Sequence, residues 1–525
     1  MKKSNEPTKT KSKMKKTIKF LSMAALALVG AMTAGCSSDD NIISQPQQPE
    51  NKNNVVTLTT TVGFDEATGG ITRALAIDYD AKTLTKTFAA GDQIAVVYEN
   101  TGGTKVKAVT EALTAENITA DGKSATFTVT LTDPKASGTV KYIYPAAMAG
   151  ETDVDYTNLN AQDGTLATIA SNLDLAVYEG NLTSDVKLPA SASLENKLAI
   201  IAYTIKDSDG SSDLTSTITG MTLSDGTNNY EVTRSAAAGP IYVAIQPTSE
   251  ADIEYTATNG TKNYAKSVTG KTYAAGEFYQ LGQRMTAAPV ADLLDVKFNA
   301  DGSAVDLSTK SKTVTHCGST SSVYYSETYQ RYVASFSHTW GATATGYYKV
   351  DFESDQAFRN ALANGHSLEV LCMANYDGEI PDVEAKPFSA MQGGGTGFLV
   401  TKKSDDRQNE LCFLPNTSTD GTSTWRWTNC GIVPQKGVFY HIVGVWDKTN
   451  SKSYIYVNGE LKKEQDAPGN LNFAQTGCNW FCIGGDPNDA NTANGAWQGD
   501  VAIARVYDKP LTADEAKALW LIDGK

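Results

Sequence analysis

The chain has 525 residues, too many for one hydrophobic core, and roughly 100–200 residues per domain predicts about three domains. It carries 45 Lys and Arg against 59 Asp and Glu, a formal net charge of −14. Phosphate backbones repel an acidic chain, so nucleic acid is excluded as a partner and the charge is attributed to solubility. All seven Trp, all four His and six of the seven Cys lie beyond residue 300, which indicates that two differently composed parts have been joined.

Residues 1–35 have the pattern of an export signal. After a lysine-rich start, the apolar run from Phe20 to Ala34 is too short for an ordinary transmembrane helix. The Thr-Ala-Gly that precedes Cys36 resembles a bacterial lipobox, which implies that Cys36 is lipidated and anchors the chain to a membrane. The acidic stretch Ser37 to Asp40 resembles the export signal of Bacteroidetes surface lipoproteins and implies the outer face of the outer membrane. Residues 36–53 are then a polar tether that cannot build a core.

Residues 54–288 have the pattern of many short strands bounded by Gly, Asp and Pro, with little helix, which predicts an all-β pair of sandwiches. Seven stretches resemble the Bacteroidetes fimbrillin family, the FimA-like and Mfa-like subunits of type V pili, and they occur in that family's order. These stretches are FAAGDQIAV, ATFTVTL, YIYPA, AQDGTLATIA, LENKLAIIAYTI, IYVAIQP and YAAGEFYQLGQRMT. The resemblance implies two transthyretin-like sandwiches, over residues 54–165 and 166–288.

The same resemblance gives Arg73 a role. Fimbrillins that polymerise are cut by an arginine protease after their first strand, and Arg73 stands where that cut would fall. The opened groove would accept a strand from the next subunit, because unpaired sheet edges bind extended segments. An exposed arginine with no role is the alternative. Since residues 290–525 follow the second sandwich, the chain could accept a strand but not easily give one, which favours a pilus tip or a non-polymerised lipoprotein.

Residues 289–525 form a third module, organised around Phe439 to Lys462. That stretch, FYHIVGVWDKTNSKSYIYVNGELK, predicts three strands, with Asn458-Gly459 as the two positive-φ residues of a tight hairpin turn. It resembles the central hairpin of laminin-G-like, concanavalin-A-like jelly rolls, and WQGDVAIARVYDKPLTADEAKAL resembles the closing segment of that family. The resemblance implies a jelly roll over residues 289–525. Thr512 and Glu515 have the spacing of a capping box that opens a terminal helix.

Two sets of residues are candidates for binding in this module. Trp425, Trp427 and Trp480 are aromatic platforms on which a sugar ring could stack, although a place in the core is the favoured alternative for Trp425 and Trp427. A second set is rich in hard oxygen ligands that could hold Ca²⁺, although an Asx-rich turn is the favoured alternative. Its members are Asp486, Asn488 and Asp489.

Catalysis is not expected. Retaining glycosidases place two carboxylates roughly 5–5.5 Å apart, and the acidic cluster Glu379 to Glu384 has the wrong spacing and a Pro inside it. Glu369 stands on a better strand, with no acidic partner near it in the sequence. Outside the inner membrane disulfides are permitted, so a bridge and buried free thiols both remain open for six cysteines. These are Cys317, Cys372, Cys412, Cys430, Cys478 and Cys482.

Together these patterns predict a surface-exposed lipoprotein that presents a jelly roll on a fimbrillin-like scaffold. The leading hypothesis is a non-enzymatic adhesin or glycan-binding protein, with a glycan or a host matrix protein as ligand and other fimbrial subunits as further partners. A structural fimbrial subunit with the jelly roll as a spacer is the alternative, and a glycoside hydrolase is a distant one. The sequence does not name the ligand or decide whether Arg73 is cut.

Overall fold

The computed structural model describes residues 54–64, 71–78, 83–234, 238–319, 321–404, 406–473, 476–489 and 491–525. The predicted signal peptide, Cys36 and the tether lie outside these ranges. In the described part the fold is mostly β, as the sequence predicts, with several sheets and three short α-helices. None of the described helices has the length and apolar character that crossing a membrane requires.

The first sheet has seven strands, and the chain between its first two strands forms a separate two-stranded ribbon. The nine strands of this part are β1 (Val55–Phe64), β2 (Ile71–Asp78), β3 (Thr83–Lys86), β4 (Ala95–Glu99), β5 (Lys105–Val109), β6 (Ser124–Thr132), β7 (Thr139–Tyr144), β8 (Ala176–Asn181) and β9 (Ser191–Asn196). The sheet order is β5-β4-β7-β8-β9-β1-β6, and β2 pairs with β3. Strand β1 therefore lies inside the sheet, antiparallel to β6 and parallel to β9.

Strand β4 is buried on both faces because two cores meet at it. Val96 and Tyr98 point into the core of the first sheet, whereas Ala95 and Val97 belong to the core of the second part. Helical turns lie between β5 and β8 and cover this region. They are the 3₁₀ turns Ala115–Asn117, Ala146–Met148 and Thr157–Asn160, the helix α1 (Leu166–Thr168) and the π turn Ile169–Leu173.

The second part is a two-sheet sandwich. Its strands are β10 (Ala199–Lys206), β11 (Gly220–Ser224), β12 (Asn229–Thr233), β13 (Ile241–Ile245), β14 (Thr248–Thr258), β15 (Asn263–Tyr273), β16 (Phe278–Arg284) and β17 (Thr286–Ala287). The sheet β13-β10-β16 faces the sheet β12-β11-β14-β15-β17. The sequence divides the two parts at residue 165, but β8 and β9 complete the first sheet. The change of sheet therefore falls between Asn196 and Ala199.

The C-terminal module is a jelly roll of two large sheets. Its elements are β18 (Leu294–Phe298), β19 (Ala304–Asp306), β20 (Val314–Gly318), β21 (Ser321–Ser326), β22 (Arg331–Ser337), β23 (Gly346–Asp351), α2 (Gln356–Ala363), β24 (His366–Ala374), β25 (Ala385–Ala390), β26 (Thr396–Val400), β27 (Leu411–Phe413), β28 (Asn416–Thr419), β29 (Thr422–Trp425), β30 (Thr428–Asn429), β31 (Phe439–Asp447), β32 (Lys452–Val457), β33 (Glu460–Asp466), β34 (Asn470–Leu471), a 3₁₀ turn (Thr476–Asn479), β35 (Trp480–Ile483), β36 (Asp486–Asp489), β37 (Thr492–Asn494), β38 (Gln498–Tyr507) and α3 (Ala513–Asp523).

The nine-stranded sheet follows the order β19-β18-β38-β24-β31-β32-β33, with β22 also on β38 and β21 on β22. The seven-stranded sheet follows the order β20-β23-β35-β25-β26-β27-β30. The core lies between them, with Trp446 and Ile442 from one sheet and Phe413 and Phe481 from the other. Small ribbons β29-β28-β34 and β36-β37 complete the module.

The local predictions for this module are confirmed. Strands β31, β32 and β33 form the predicted meander, and Asn458 and Gly459 have φ values of 51° and 72°, as a tight hairpin turn of this kind requires. Thr512 and Glu515 make the predicted reciprocal cap of α3. Both predictions depend only on neighbouring residues, so long-range packing does not alter them.

Helix α3 also contacts the second part of the chain. Ala518 and Leu521 pack with Ala265 of β15 in one apolar cluster. Ion pairs join Lys266 to Asp514 at 3.7 Å and Lys525 to Glu254. Because the jelly roll shares this apolar contact with the preceding sandwich, experiments on it are best done with the whole chain.

Candidate functional site

The structure separates the three tryptophans proposed as sugar platforms. Trp480 is 2% exposed, stacks on Tyr347 at a centroid distance of 6.2 Å, and is covered by Lys349, whose Nζ lies 4.6 Å from the ring centroid. It therefore presents no ring face to solvent. Trp425 and Trp427 are half-buried against a small apolar cluster on the seven-stranded sheet, and the Arg407 guanidinium lies 3.6 Å from the centre of the Trp427 ring. Packing thus occupies much of both rings.

The oxygen-rich segment forms the β36–β37 hairpin, and protein donors already use its oxygens. Asp486 is buried, accepts hydrogen bonds from Ser389 Oγ at 2.7 Å and from the Met391 backbone at 3.0 Å, and lies 3.4 Å from Lys386 Nζ. Asp489 accepts from the Asn491 and Thr492 backbones. Asn488 Oδ1 accepts from Asn494. The three side chains thus form a closed turn, the alternative given in the sequence analysis, and no group of three or more His, Cys, Asp or Glu that could hold a metal ion occurs in the described ranges.

The backbone of Arg73 lies in β2. Its strand pairs with β3 at Ile71–Lys86 and again from Ala76–Thr85, with an irregularity between these pairs, and Arg73 falls inside that irregularity. Strand β1 precedes it and lies in the first sheet between β9 and the edge strand β6. The segment that a cut after Arg73 would detach is therefore an interior strand, which pairs with a neighbour on both edges.

Five cysteines of the module are free thiols and form no disulfide. Cys317, Cys372, Cys412, Cys430 and Cys482 are free, and all but Cys317 are buried. Burial raises the pKa of the Cys372 thiol, and it raises that of Cys430 to about 11. These buried thiols behave as small apolar residues, which is one of the two alternatives that the sequence leaves open.

A site that the sequence analysis missed lies along β38. One edge of β38 pairs with β24, while the other pairs with β18 at Arg505 and Val506 and with β22 from Gln498 to Val501. Among the described residues, no strand partner is assigned on that second edge between Val501 and Arg505. The ends of β18 and β22 leave a hollow there of about 360 Å³, which we call the split-edge hollow. Its lining includes Asp295, Lys297, Tyr325, Gln330, Arg331 and Tyr332.

Two tyrosines form the aromatic wall of the split-edge hollow. Tyr325 and Tyr332 face each other across the β21–β22 hairpin, with ring centroids 5.3 Å apart and an interplanar angle of 72°. Tyr325 is 43% exposed, whereas Tyr332 is half-buried against the module's core. Tyr324 is 41% exposed but lies on the opposite face of the strand, where its hydroxyl donates to Asp500 at 2.7 Å. Only Tyr325 and Tyr332 therefore serve this hollow.

Polar groups beside the tyrosines are held in place. The Tyr325 hydroxyl donates to Gln330 Oε1 at 3.1 Å, and Gln330 has a positive φ of 50°, a strained backbone that the tight turn imposes. Arg331 donates to Asp523 at 2.6 Å. Asp295 accepts from Arg505 at 2.8 Å. An exposed ring edged by an amide and a guanidinium suits a ligand with one apolar face and several hydroxyls.

A buried charge network lies next to this hollow. Glu369 is fully buried, and its carboxylate meets His441 Nε2 at 2.8 Å, the Tyr507 hydroxyl at 2.5 Å and Arg505 at 3.4 Å. Burial opposes ionisation of Glu369, but the Arg505 charge and the His441 contact outweigh it and hold the pKa below its usual value. Arg505 and Arg331 likewise lower the pKa of Asp523 to about 2, although burial acts against them.

One signal in the sequence could have pointed to the tyrosines of the split-edge hollow. The stretch from Val323 to Phe336 places Tyr324, Tyr325 and Tyr332 in short strands whose other residues are mostly polar. Tyrosine on a polar hairpin has little core to fill, so exposed rings are the natural expectation. The hollow itself could not be found this way, because it depends on where β18 and β22 end along β38.

A protein-family model matches the C-terminal part of the chain. Residues 381–517 match the family model of the concanavalin A-like lectin/glucanases superfamily. A search of curated proteins returned no match.

Among solved structures, domain 4 of AbnA, a GH43 extracellular arabinanase from Geobacillus stearothermophilus in complex with arabinotriose, is similar. It shares 14% identity with a TM-score of 0.30 over 43% of this chain and 98% of that chain. The botulinum neurotoxin type G receptor binding domain shares 13% identity with a TM-score of 0.32, over 44% of this chain and 51% of that chain. The binding domain of botulinum neurotoxin DC in complex with SialylT shares 11% identity with a TM-score of 0.30, over 44% of this chain and 51% of that chain. The chain thus spans about half the length of either neurotoxin domain.

The family match begins in the loop before β25 and ends inside α3. It therefore covers four strands of the nine-stranded sheet and five of the seven-stranded sheet, including the confirmed hairpin and the closing strand β38. The chain carries a concanavalin A-like lectin/glucanase domain near its C-terminus.

Proposed function

We propose that the jelly roll is a glycan-binding module and that the split-edge hollow is its binding site. The exposed ring of Tyr325 beside Gln330 and Arg331 carries the proposal. A pyranose or furanose ring offers a C–H face that packs on an aromatic ring, while its hydroxyls exchange hydrogen bonds with amide and guanidinium groups. The match of residues 381–517 to a lectin/glucanase superfamily supports this class of ligand. We further propose that the module binds without catalysing a reaction.

Replacing Tyr325 tests this site. On an array of glycans and matrix proteins, the full chain is expected to bind a defined set of glycans. Tyr325→Ser is expected to weaken that binding about tenfold or more, because the stacking surface is lost, whereas Tyr325→Phe retains most of it. The measurement is the Kd for a glycan taken from the array.

Tyr324→Ser is the matched control for this experiment. Tyr324 is equally exposed and lies on the same strand, but it faces away from the hollow. Equal losses in the two serine variants would place binding elsewhere. Binding of matrix proteins alone, with no glycan among the ligands, would favour a protein-binding adhesin instead.

A second function is favoured by the position of β1. We propose that the first two parts are fimbrillin-like, transthyretin-like sandwiches on a surface lipoprotein of the outer membrane, anchored through Cys36. Strand β1 pairs with β6 over Val55 to Gly63 and with β9 over Thr61 to Phe64, and Val62 is fully buried. Loss of this strand after a cut at Arg73 would leave a slot between two sheet edges, which a strand from another subunit could fill.

Treatment with an arginine-specific protease tests this second proposal. The cut chain is expected to begin at Ala74 and to shift to larger assemblies in size-exclusion chromatography, because the open slot recruits a strand. Arg73→Ala should remain uncut there and monomeric, while Arg284→Ala, at an exposed site in β16, should behave as the unmodified chain. A cut chain that keeps β1 bound and stays monomeric would contradict assembly by strand exchange and leave the sandwiches as a scaffold for the jelly roll.

A further inference from the structure

We infer that the module has a second binding site, on the outer face of the seven-stranded sheet, for an anionic sugar that bears a carboxylate or a sulfate. The site is a polar hollow of about 670 Å³ at the β20–β23 edge. We call it the lysine hollow, and the residues that matter for the argument are Lys310, Lys312, Thr315, Cys317, Lys349 and Asp351. None of them lines the split-edge hollow.

The strand register sets the floor of the lysine hollow. Cys317 pairs with Tyr347, and Thr315 pairs with Lys349, so these four residues share one face of the sheet. Tyr348 and its neighbour Val350 point the other way, into the module's core. The sheet therefore presents a rigid polar floor, with the Tyr347 and Trp480 rings packed beneath Lys349.

Two of the three ammonium groups are held in fixed positions. Lys349 Nζ lies over the Trp480 ring and 3.8 Å from Asp351, and its side chain is only 16% exposed. Lys312 Nζ lies 2.5 Å from Asp355, and its side chain is equally covered. Lysines that are already ordered lose less side-chain entropy when a ligand binds than mobile surface lysines do.

The loop that carries Lys310 and Lys312 is fixed as well. The Asp306 carboxylate accepts from the Lys312 backbone at 2.7 Å and from Ser308 Oγ at 2.8 Å. Ser311 has a positive φ of 47°, a conformation that a non-glycine residue keeps only where its surroundings impose it. The loop thus presents two lysines to the hollow from a defined backbone.

The charge of the lysine hollow differs from that of the chain. Its lining holds three lysines and one carboxylate, Asp351, and the Asp355 carboxylate pairs with Lys312 beside it, so three ammonium groups face two carboxylates, whereas the whole chain has a formal net charge of −14. A neutral sugar would gain little from this concentration of positive charge, but a carboxylate or a sulfate ester would form charge-assisted hydrogen bonds with it. The inference rests on the proposed function only in taking the ligand to be a sugar.

Cys317 provides a direct readout of occupancy. It lines the hollow and is partly exposed, whereas the other cysteines of the module are buried. Its alkylation by iodoacetamide, a neutral reagent, can be followed by mass spectrometry in the full chain. The probes are polygalacturonate, which carries carboxylates, dextran sulfate, which carries sulfates, and neutral dextran.

At low salt, a polyanion present at a concentration of about ten times its Kd is expected to slow Cys317 alkylation about tenfold. Neutral dextran should leave the rate unchanged. Raising the salt should reverse the protection. The double variant Lys310→Gln, Lys349→Gln should lose it, and Lys463→Gln, an exposed lysine on β33, should not. Protection by only one of the two polyanions would identify that group as the recognised one.

Three results would overturn the inference: no protection by either polyanion, equal protection by dextran, or protection that survives the double lysine variant. Unfolding curves from tryptophan fluorescence would show that the variants are folded. Tyr325→Ser separates the two proposals, because it should lose glycan binding at the split-edge hollow and keep the protection of Cys317.

Discussion

Glu369→Ala is expected to destabilise the jelly roll by about 3–5 kcal/mol, the usual cost of breaking a buried charge network by removing one member. Glu369 is fully buried, and its loss leaves Arg505 and the Tyr507 hydroxyl without their shared acceptor. The measurement is urea unfolding of the full chain followed by tryptophan fluorescence. All seven tryptophans lie beyond residue 300, so this signal reports on the module.

Acid should remove from the unmodified chain the stability that the Glu369 charge network contributes. The folded-state pKa of Glu369 is lowered, and that of Asp523 is lowered to about 2. Ionisation of both groups therefore stabilises the fold at any pH above their unfolded-state pKa values of about 4. This stability is lost as the pH falls from about 4 towards 2. Glu369→Ala should lose less stability over that range than the unmodified chain. Asp466→Asn, which alters an exposed ion pair with Lys452, is the control and should leave the acid dependence almost unchanged. A parallel acid dependence in Glu369→Ala would contradict the role assigned to the network.

Trp446→Ala is expected to cost about 3–5 kcal/mol in the free energy of unfolding. Trp446 is fully buried between the two sheets, its ring centroid lies 5.7 Å from that of His366, and its Nε1 donates to the Ala467 carbonyl at 3.1 Å. Truncation removes both the packing and the donor. Trp446→Phe keeps a ring and should cost only about 1–3 kcal/mol, mostly for the carbonyl left without its partner.

Tyr325→Ser is the surface control for Trp446→Ala, because Tyr325 is 43% exposed, lies outside the core, and its removal should change stability little. The midpoint of urea unfolding decides the comparison. If Trp446→Ala unfolds at the same urea concentration as the unmodified chain, the two sheets do not depend on this residue for their packing.

Whether the sequence could predict a site depends on how far apart in the sequence the residues of that site lie. Sequence reasoning singled out Trp480 because it is a tryptophan near a loop, yet the register of β35 turns its ring into a packed layer with Tyr347 and Lys349. It found no acidic partner for Glu369 and did not reveal the actual contacts of this residue, because His441 and Tyr507 lie 72 and 138 residues away. It missed Tyr325 because tyrosine pairs on polar hairpins carry no motif.

The apolar run from Phe439 to Trp446 and the Asn458-Gly459 turn determined, by themselves, the meander that identifies the jelly roll, and the Thr512–Glu515 spacing determined the start of α3. Those features depend on interactions between residues a few positions apart, which the sequence displays directly. The tertiary structure alone decided which aromatic rings reach solvent, where β38 loses its neighbour, and which lysines meet on one face. Each of these depends on the pairing of strands distant in the chain, and a shift of one residue in register would exchange the buried and exposed faces.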